Sequence, residues 1–515
     1  MVILAPAAAR PIHLTIRPSR PIVTAAWISP PFQLMITCYL PRTTWSWSTP
    51  IRRLRGHIWR GKRVRVNLMA LRRRTFDSPD ERLLNSSFHG NQRTFDLPQR
   101  DYAVYDFGYN CLEVSSVPDW RRTQMRNGRL PMAAVCLVIV FTMRGMLRAQ
   151  SPPLSITLTG QSMIRSDIRA HVPSAVPIIT SLLKGDVVFT NFETTIIDEK
   201  KGQSRKDGRF LSPPEALESL KTFGFNLLSL ANNHAFDLKV PGIQNTIEQV
   251  SRLNLGHAGT GNTIDEAAGP GYLKTPKGTI ALVAMASGRV VEGGSATATR
   301  AGVNELRVEG NKPNEEDSRH ILQSIREASK KADLVIVSQH NHVFDKPFET
   351  MMLEELPERL VPPDWVKKWT HAEVDAGADI IVMHGAPLLH GIEIYHGRPI
   401  FYDLGNFIFQ VPPTQILLDE PIIWESVVAY VDFQGKNLRS IKFRPIAQNK
   451  IGQGQPDFQD ERTNNLFLQT RGLPTPATGE QAHYILERLA NLSRPFGTTV
   501  VAKGDTAEIK FTGGK

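Results

Sequence analysis

Four apolar runs in this chain stop on residues able to hold a cation or move a proton. DVVFTNFE ends at Asn191 and Glu193, and LLSLANNH ends at Asn232, Asn233 and His234. ADLVIVSQHNH ends at His340 and His342, and ADIIVMHG at His384. A fifth run, SITLTG, leads into Gln161. One such histidine is ordinarily a hydrogen-bonded core or surface residue. Asn232 to His234 taken alone would serve as a polar turn, because Asn side chains bond their own backbone. Taken together, imidazole, carboxylate and amide oxygen are the ligand types that suit a divalent transition metal. These residues are far apart in sequence, so they form one site only if their runs are strands of a shared sheet.

The intervening segments supply such strands. In open α/β sheets, ligands sit beyond the carboxyl ends of parallel strands, and parallel strands need helical crossovers between them. Helix-like segments do alternate with the runs: VPIITSLLKG, PPEALESLKTFG with Pro at its start and Gly at its end, IQNTIEQVSRLN, SRHILQSIREASKKA and PDWVKKWTHAEVDAGA. The pattern predicts α/β layering. After residue 390 the signals change to hairpins, GIEIYHGRPIFYDLG and ESVVAYVDFQGKNLRSIKF, followed by a helix near 479–493 and two short strands. A Pro- and acid-rich insert near 345–364 reads as a loop beside His340 and His342. GTGNT at 259–263 reads as a loop, since a lone glycine pair is weak support for a phosphate site.

Charge divides the chain unevenly. Residues 1–124 hold 19 Arg and Lys against 8 Asp and Glu, a net +11 that equals the charge of the whole chain. The remainder is therefore balanced, and no nucleic-acid partner is expected for it. The first quarter mixes Arg clusters with Trp and Pro and has two readings: a basic arm, or sequence upstream of the true start. From Met125, Arg126 and Arg129 precede an uncharged run from Leu130 to Met143, with Leu147-Arg148-Ala149 as a processing point. That is the layout of a secretory signal, and the run is shorter than the ~20 residues of a membrane span. The expected organisation is a basic segment (1–124), a signal peptide (125–149), one domain (150–410) and its C-terminal part (411–515). The protein would then be exported to the periplasm or cell envelope. Cys136 would leave with the signal, making the mature part cysteine-free, which is compatible with an oxidising compartment.

DVVFTNFETTI, LLSLANNHAFDL, VSQHNH and above all DAGADIIVMHGAPLLHGIEIYHGRPIFYDLGNFIF resemble the CapA proteins of capsule and poly-γ-glutamate synthesis. Those are similar to calcineurin-like metallophosphoesterases. The likeness runs from about Ser155 to Phe409 and more loosely into the tail. It implies a four-layer α-β-β-α sandwich of metallo-dependent phosphatase type, with a β-rich C-terminal extension. It also implies one or two divalent ions (Mn, Fe or Zn) in a cleft at the strand ends. Position by position, the resemblance makes Glu193, Asn233, His340 and His384 metal ligands. His234 becomes the catalytic group, an imidazole being the side chain best suited to proton transfer near neutral pH. Gln161, Asn191, Asn232, His342 and His390 are further candidates.

Three positions depart from the superfamily pattern. Gln161 stands where a metal-binding Asp is expected, Met383 replaces a Gly before His384, and Pro387 replaces the second His of the closing motif. Other residues receive structural readings: His371 on a helix surface or as a cap, Asp237 and Asp403 as loop fasteners, Gly405-Asn406 as a supporting turn. The resulting expectation is a metal-dependent hydrolase or transferase of surface-polymer biosynthesis or anchoring. Its substrate would be an anionic polymer or a phosphoester, joined at a phosphoester or γ-glutamyl bond. The alternative is a non-catalytic subunit that binds polymer or scaffolds a membrane synthase.

Overall fold

A computed structural model describes residues 22–29 and 32–39 and, between 153 and 511, all except 349, 352–356, 413–419 and 457–464. The chain divides into two units, 1–119 and 120–515. In the first, Ile22–Ser29 and Phe32–Tyr39 pair as an antiparallel hairpin, which was not anticipated from sequence. The rest of the basic segment and the expected signal at 125–149 lie outside the described residues. No described helix is long and apolar enough to cross a membrane.

The second unit is built on two mixed sheets. The first contains the parallel strands β1 (Leu154–Leu158), β2 (Val187–Asn191), β3 (Leu227–Ser229) and β4 (Gly256–Ala258), adjacent in that order. The second contains β5 (Gly271–Thr275), β6 (Gly278–Ser287), β7 (Leu334–Asn341), β8 (Ile380–His384), β9 (Ile392–Tyr395) and β10 (Arg398–Phe401). Its order is β5-β6-β7-β8-β10-β9, with β6, β7, β8 and β10 parallel. Strands β11 (Glu425–Gln434), β12 (Asn437–Gln448), β13 (Pro474–Pro476), β14 (Val500–Lys503) and β15 (Thr506–Ile509) extend the first sheet antiparallel from β1.

Side chains that alternate along each strand enter different cores, as the two-residue strand period requires. Val187 and Phe189 of β2 and Ile280, Leu282, Ala284 and Ala286 of β6 share one interior. Val188 instead packs with Ile179 and Leu182 of α1 (Ala175–Leu182) and with Leu217 and Leu220 of α2 (Pro214–Phe223). Ala281, Val283 and Met285 turn the other way. They meet Ile321, Ile325 and Ala328 of α4 (Glu315–Lys331) and Trp365, Val366 and Trp369 of α5 (Asp364–Ala376). Between these two pairs of helices in the chain, α3 (Lys239–Arg252) joins β3 to β4 and contributes Ile243 to the shared interior. Ile485, Leu486 and Leu489 of α6 (Gly479–Ser493) enter that same interior. Local signals set the ends: Pro at the start of α2, Gly224 (φ +113°) after it, and Asn314 accepting from the Glu316 and Asp317 N–H groups at the start of α4.

Two loop expectations are corrected. Within 259–263, Thr260–Gly261 pairs antiparallel with Gly302–Val303, a two-residue ladder too short to leave a periodic signal. Within the insert near 345–364, Pro357–Leu360 forms a 3-10 turn. Strands β4 and β5 were not anticipated. Gly256, His257 and Gly271 dilute their apolar pattern, and Gly271 sits where a Cβ would collide with the His257 carbonyl oxygen.

Candidate metal and proton-transfer site

The parallel order turns distant strand ends into neighbours. Gln161 follows β1, Glu193 follows β2, Asn232 to His234 follow β3, His340 is the penultimate residue of β7 with His342 just beyond that strand, and His384 closes β8. His340 and His384 are register partners on adjacent strands.

His340 and His342 are two residues apart on an extended segment, so both imidazoles project to one face. Their ring centroids are 4.8 Å apart. Asn341 between them folds its amide back onto Val343, accepting from its N–H and donating to its carbonyl. Opposite them, Glu193 Oε1 lies 3.6 Å from His340 Nε2. Glu193, His340 and His342 form a cluster whose ligand atoms all lie within 4.8 Å of one another. Glu193 Oε2, His340 Nε2 and both nitrogens of His342 are buried without a hydrogen-bond partner. Buried polar atoms ordinarily find partners, and four orphans in one cluster fit the donor set of a divalent cation.

The protonation states agree with that fit. Burial raises the Glu193 carboxyl to about 7; the Asp237 charge adds to this, while His234 and Arg289 oppose it. Burial, reinforced by the neighbouring His342, His384 and His234 rings and by Arg289, holds His340 well below its ordinary value. Burial, with Arg289 and His234 adding to it, lowers His342 to about 3. The imidazoles are thus neutral near pH 7. The Asn191 amide N–H donates to His340 Nδ1 at 3.1 Å, which places the proton of the neutral ring on Nε2, facing Glu193.

A second feature adjoins the cluster. His234 Nδ1 lies 2.9 Å from Asp237 Oδ2, and that oxygen also accepts the Phe210 N–H at 2.7 Å. The His234 main chain is pinned as well, its N–H donating to Asn232 Oδ1 and its carbonyl accepting from Thr195 Oγ1. The Phe210 ring sits 5.6 Å from the His234 ring, with the Arg165 guanidinium 4.0 Å from the Phe210 ring centroid. With Nδ1 committed to Asp237, Nε2 is the nitrogen left to exchange protons. His234 retains 17% side-chain exposure, so it is open to a ligand.

The structure sorts the remaining candidates. Asn232 is structural, donating to the Phe192 carbonyl at 2.8 Å, whereas Asn233 Oδ1 is buried without a partner. Gln161 is fully occupied: its oxygen accepts from Gly385 N–H (3.2 Å) and its amide donates to Asn406 Oδ1 (3.1 Å). His384, expected as a ligand, lies outside the three-residue cluster; its Nε2 donates to the Thr159 carbonyl at 3.0 Å and its Nδ1 is buried without a partner. His390 Nε2 is likewise held by the Arg359 carbonyl at 2.6 Å. His384 and His390 both line a cavity of about 10 Å³, roughly the size needed for one water. Asp403 fastens its loop by accepting the Gly405 N–H at 2.7 Å. His371 pairs with Glu393 and stacks on Tyr395 at 3.7 Å.

Arg289 escaped the sequence reading. It follows β6 at a left-handed turn, Gly288 at φ +72° and Arg289 at φ +57°, a conformation costly for a non-glycine residue and frequent at functional sites. Its charge acts on Glu193, His340 and His342. The available signal was the Gly-Arg pair that directly ends the apolar run TIALVAMAS.

Polar residues gathered at the carboxyl ends of parallel strands place this chain among α/β proteins with a strand-end site. Within that class it belongs to the family described as Bacterial capsule synthesis protein PGA_cap, whose model matches residues 155–411. It is 32% identical over 229 residues to the PGA biosynthesis protein CapA of Bacillus subtilis, covering 44% of this chain and 53% of that protein. It is 26% identical over 313 residues to the capsule biosynthesis protein CapA of Bacillus anthracis, covering 56% and 70%. An uncharacterized protein of Sinorhizobium fredii is 28% identical over 442 residues, covering 67% and 90%.

Proposed function

We propose that this protein acts in the biosynthesis or anchoring of a cell-surface polymer such as capsule or poly-γ-glutamate. In this reading it is an exported, metal-dependent hydrolase or transferase working on a phosphoester or γ-glutamyl bond. The family membership and the names of the Bacillus relatives support the polymer. The shared interior between the sheets, with helices behind each, supports a four-layer sandwich of metallophosphatase type.

One observation carries the chemistry. The orphaned donors of Glu193, His340 and His342 stand beside a hydrogen-bonded His234–Asp237 pair. A divalent cation held there supplies charge neutralisation for an anionic substrate and lowers the pKa of bound water. The chain's own residues do the rest. Asp237 accepts from His234 Nδ1–H and stabilises its imidazolium form, Asn191 donates to His340 Nδ1, and the imidazolium would pass its Nε2 proton to the leaving group, regenerating the neutral ring. Arg289 adds a positive charge for an anionic substrate.

The second reading, a polymer-binding or synthase-scaffolding subunit without catalysis, draws on Gln161. Its amide is spent on Gly385 and Asn406, where a carboxylate ligand is expected. Turnover separates the two. The full chain should hydrolyse or transfer a phosphoester or γ-glutamyl substrate, and His234→Ala should lower the rate by about 10² to 10⁴. Undiminished turnover in His234→Ala would refute the assigned role, and absence of turnover in metal-loaded wild type would favour the scaffold.

A further inference from the structure

We infer that Arg289 is a specificity-determining residue of this site, its guanidinium receiving an anionic group, carboxylate or phosphate, that lies away from the bond undergoing reaction. This deepens the reading above and rests on it for the place of the reacting bond. The backbone leaves Arg289 little choice of position. Ser287, the last residue of β6, accepts the His342 N–H at 2.7 Å, and its hydroxyl accepts from the Gln339 amide at 2.6 Å. The next residue turns left-handed against that same segment. A Cβ on Gly288 would lie 2.8 Å from Val343 Cγ2 and 3.1 Å from the His342 carbonyl carbon, so the turn admits only glycine there. Arg289 follows at φ +57°, where glycine would be the unstrained choice.

The side chain is then set beside the cluster. Its guanidinium lies 5.2 Å over the Phe348 ring, and that ring is 5.1 Å from the His342 ring. Stacking engages the face of a guanidinium, whereas a carboxylate or phosphate is bound along its edge. Arg165 makes a comparable stack on Phe210, which adjoins His234. Arg165 is only 4% exposed, while Arg289 is exposed and can meet an arriving ligand. The Arg289 charge is also felt at Glu193, His340 and His342 alike. His234, the proton donor, follows β3 in the first sheet, and Arg289 follows β6 in the second. A substrate that meets both carries its reacting bond at one and an anionic group at the other, as a chain of repeated carboxylates does.

The test measures binding of three probes to the full chain: a fluorescent γ-glutamyl oligomer, the same oligomer with its carboxylates amidated, and inorganic phosphate. Arg289→Gln should weaken the acidic oligomer, phosphate or both by about 10- to 100-fold and leave the amidated oligomer unaffected. It should also flatten the salt dependence of binding. Arg289→Lys should recover only part of the loss, since an ammonium lacks the planar fork. Arg289→Gly relieves the left-handed residue, so it should lose the same affinity with a urea midpoint no lower than wild type. A loss confined to the oligomer assigns a carboxylate, and one confined to phosphate assigns a phosphate. Unchanged affinity for both in Arg289→Gln, an equal loss for the amidated oligomer, or a wild type that binds neither acidic probe overturns the inference. A lowered midpoint in Arg289→Gly marks the residue as structural and overturns it too. Absence of turnover in a chain that still binds through Arg289 sinks the hydrolase reading and leaves this assignment standing.

Discussion

His340 and His384 are register partners on adjacent parallel strands, both almost fully buried, and each ends its apolar run. Their surroundings differ in one respect. His340 has a side-chain amide on Nδ1 and a carboxylate 3.6 Å from Nε2. The second imidazole, on His342, projects to the same face. His384 has its Nε2 on a main-chain carbonyl and its ring 6.0 Å from that of Phe189. Position at the strand end is therefore shared by both. Each ring also has one bonded and one unpartnered nitrogen, so the anionic neighbour beside His340 Nε2 is what distinguishes the two.

That contrast makes its largest prediction in a pair of variants. His340→Ala should cost metal affinity by about 10² or more, since removal of mere orienting partners already costs 10- to 100-fold. His384→Ala should leave metal affinity within about threefold and instead lower stability. A lost buried hydrogen bond with an unsatisfied carbonyl costs about 1–3 kcal/mol, and the cavity adds to it. Metal titration and urea unfolding on both variants check this. Equal metal loss in the two would erase the distinction drawn between the histidines.

Much of the fold was legible because apolar runs and helical periods are local signals. The strands ending at Asn191, His340 and His384 and the helix at 479–493 fall where the sequence places them. The gathering of Glu193 with His340 follows from parallel order and strand-end polarity, so it too was readable in outline. The choice between His342 and His384 was not. It depends on which ring nitrogens converge on the Glu193 carboxylate, and this is set by packing between sheets. Arg289 was hidden for a similar reason: its charge reaches the cluster only through the left-handed turn at Gly288. Gln161 was visible as a departure, but its amide partners, 224 and 245 residues away, were not.

A smaller effect tests the orienting amide. Asn191 touches no substrate group in this account; it holds His340 through Nδ1 and meets Asn232 at 3.4 Å. Asn191→Leu keeps the volume close and removes the polar contact. Metal affinity should fall by about 10- to 100-fold with the stoichiometry unchanged. Unchanged affinity would show that His340 is fixed by the strand alone.

The smallest effect separates burial from site formation. Glu373 of α5 is as buried as Glu193, and burial pushes its carboxyl well above the ordinary value, with the Trp369 indole opposing. Yet it belongs to no metal-type cluster among the described residues. A group whose folded pKa is raised contributes its full stability below the unfolded value, near 4.5, and loses it as pH rises toward the folded value. Glu373→Gln removes the proton release and keeps the shape. Relative to wild type, it should be close to neutral at pH 4 and more stable at pH 8. Urea midpoints at the two pH values measure the gap, which must widen with pH. Glu193→Gln should instead cost metal binding, because the buried carboxyl there stands beside His340 and His342. If Glu373→Gln shows no pH-dependent gain, then burial has not raised that carboxyl. The comparison of the two glutamates would then rest on Glu193 alone.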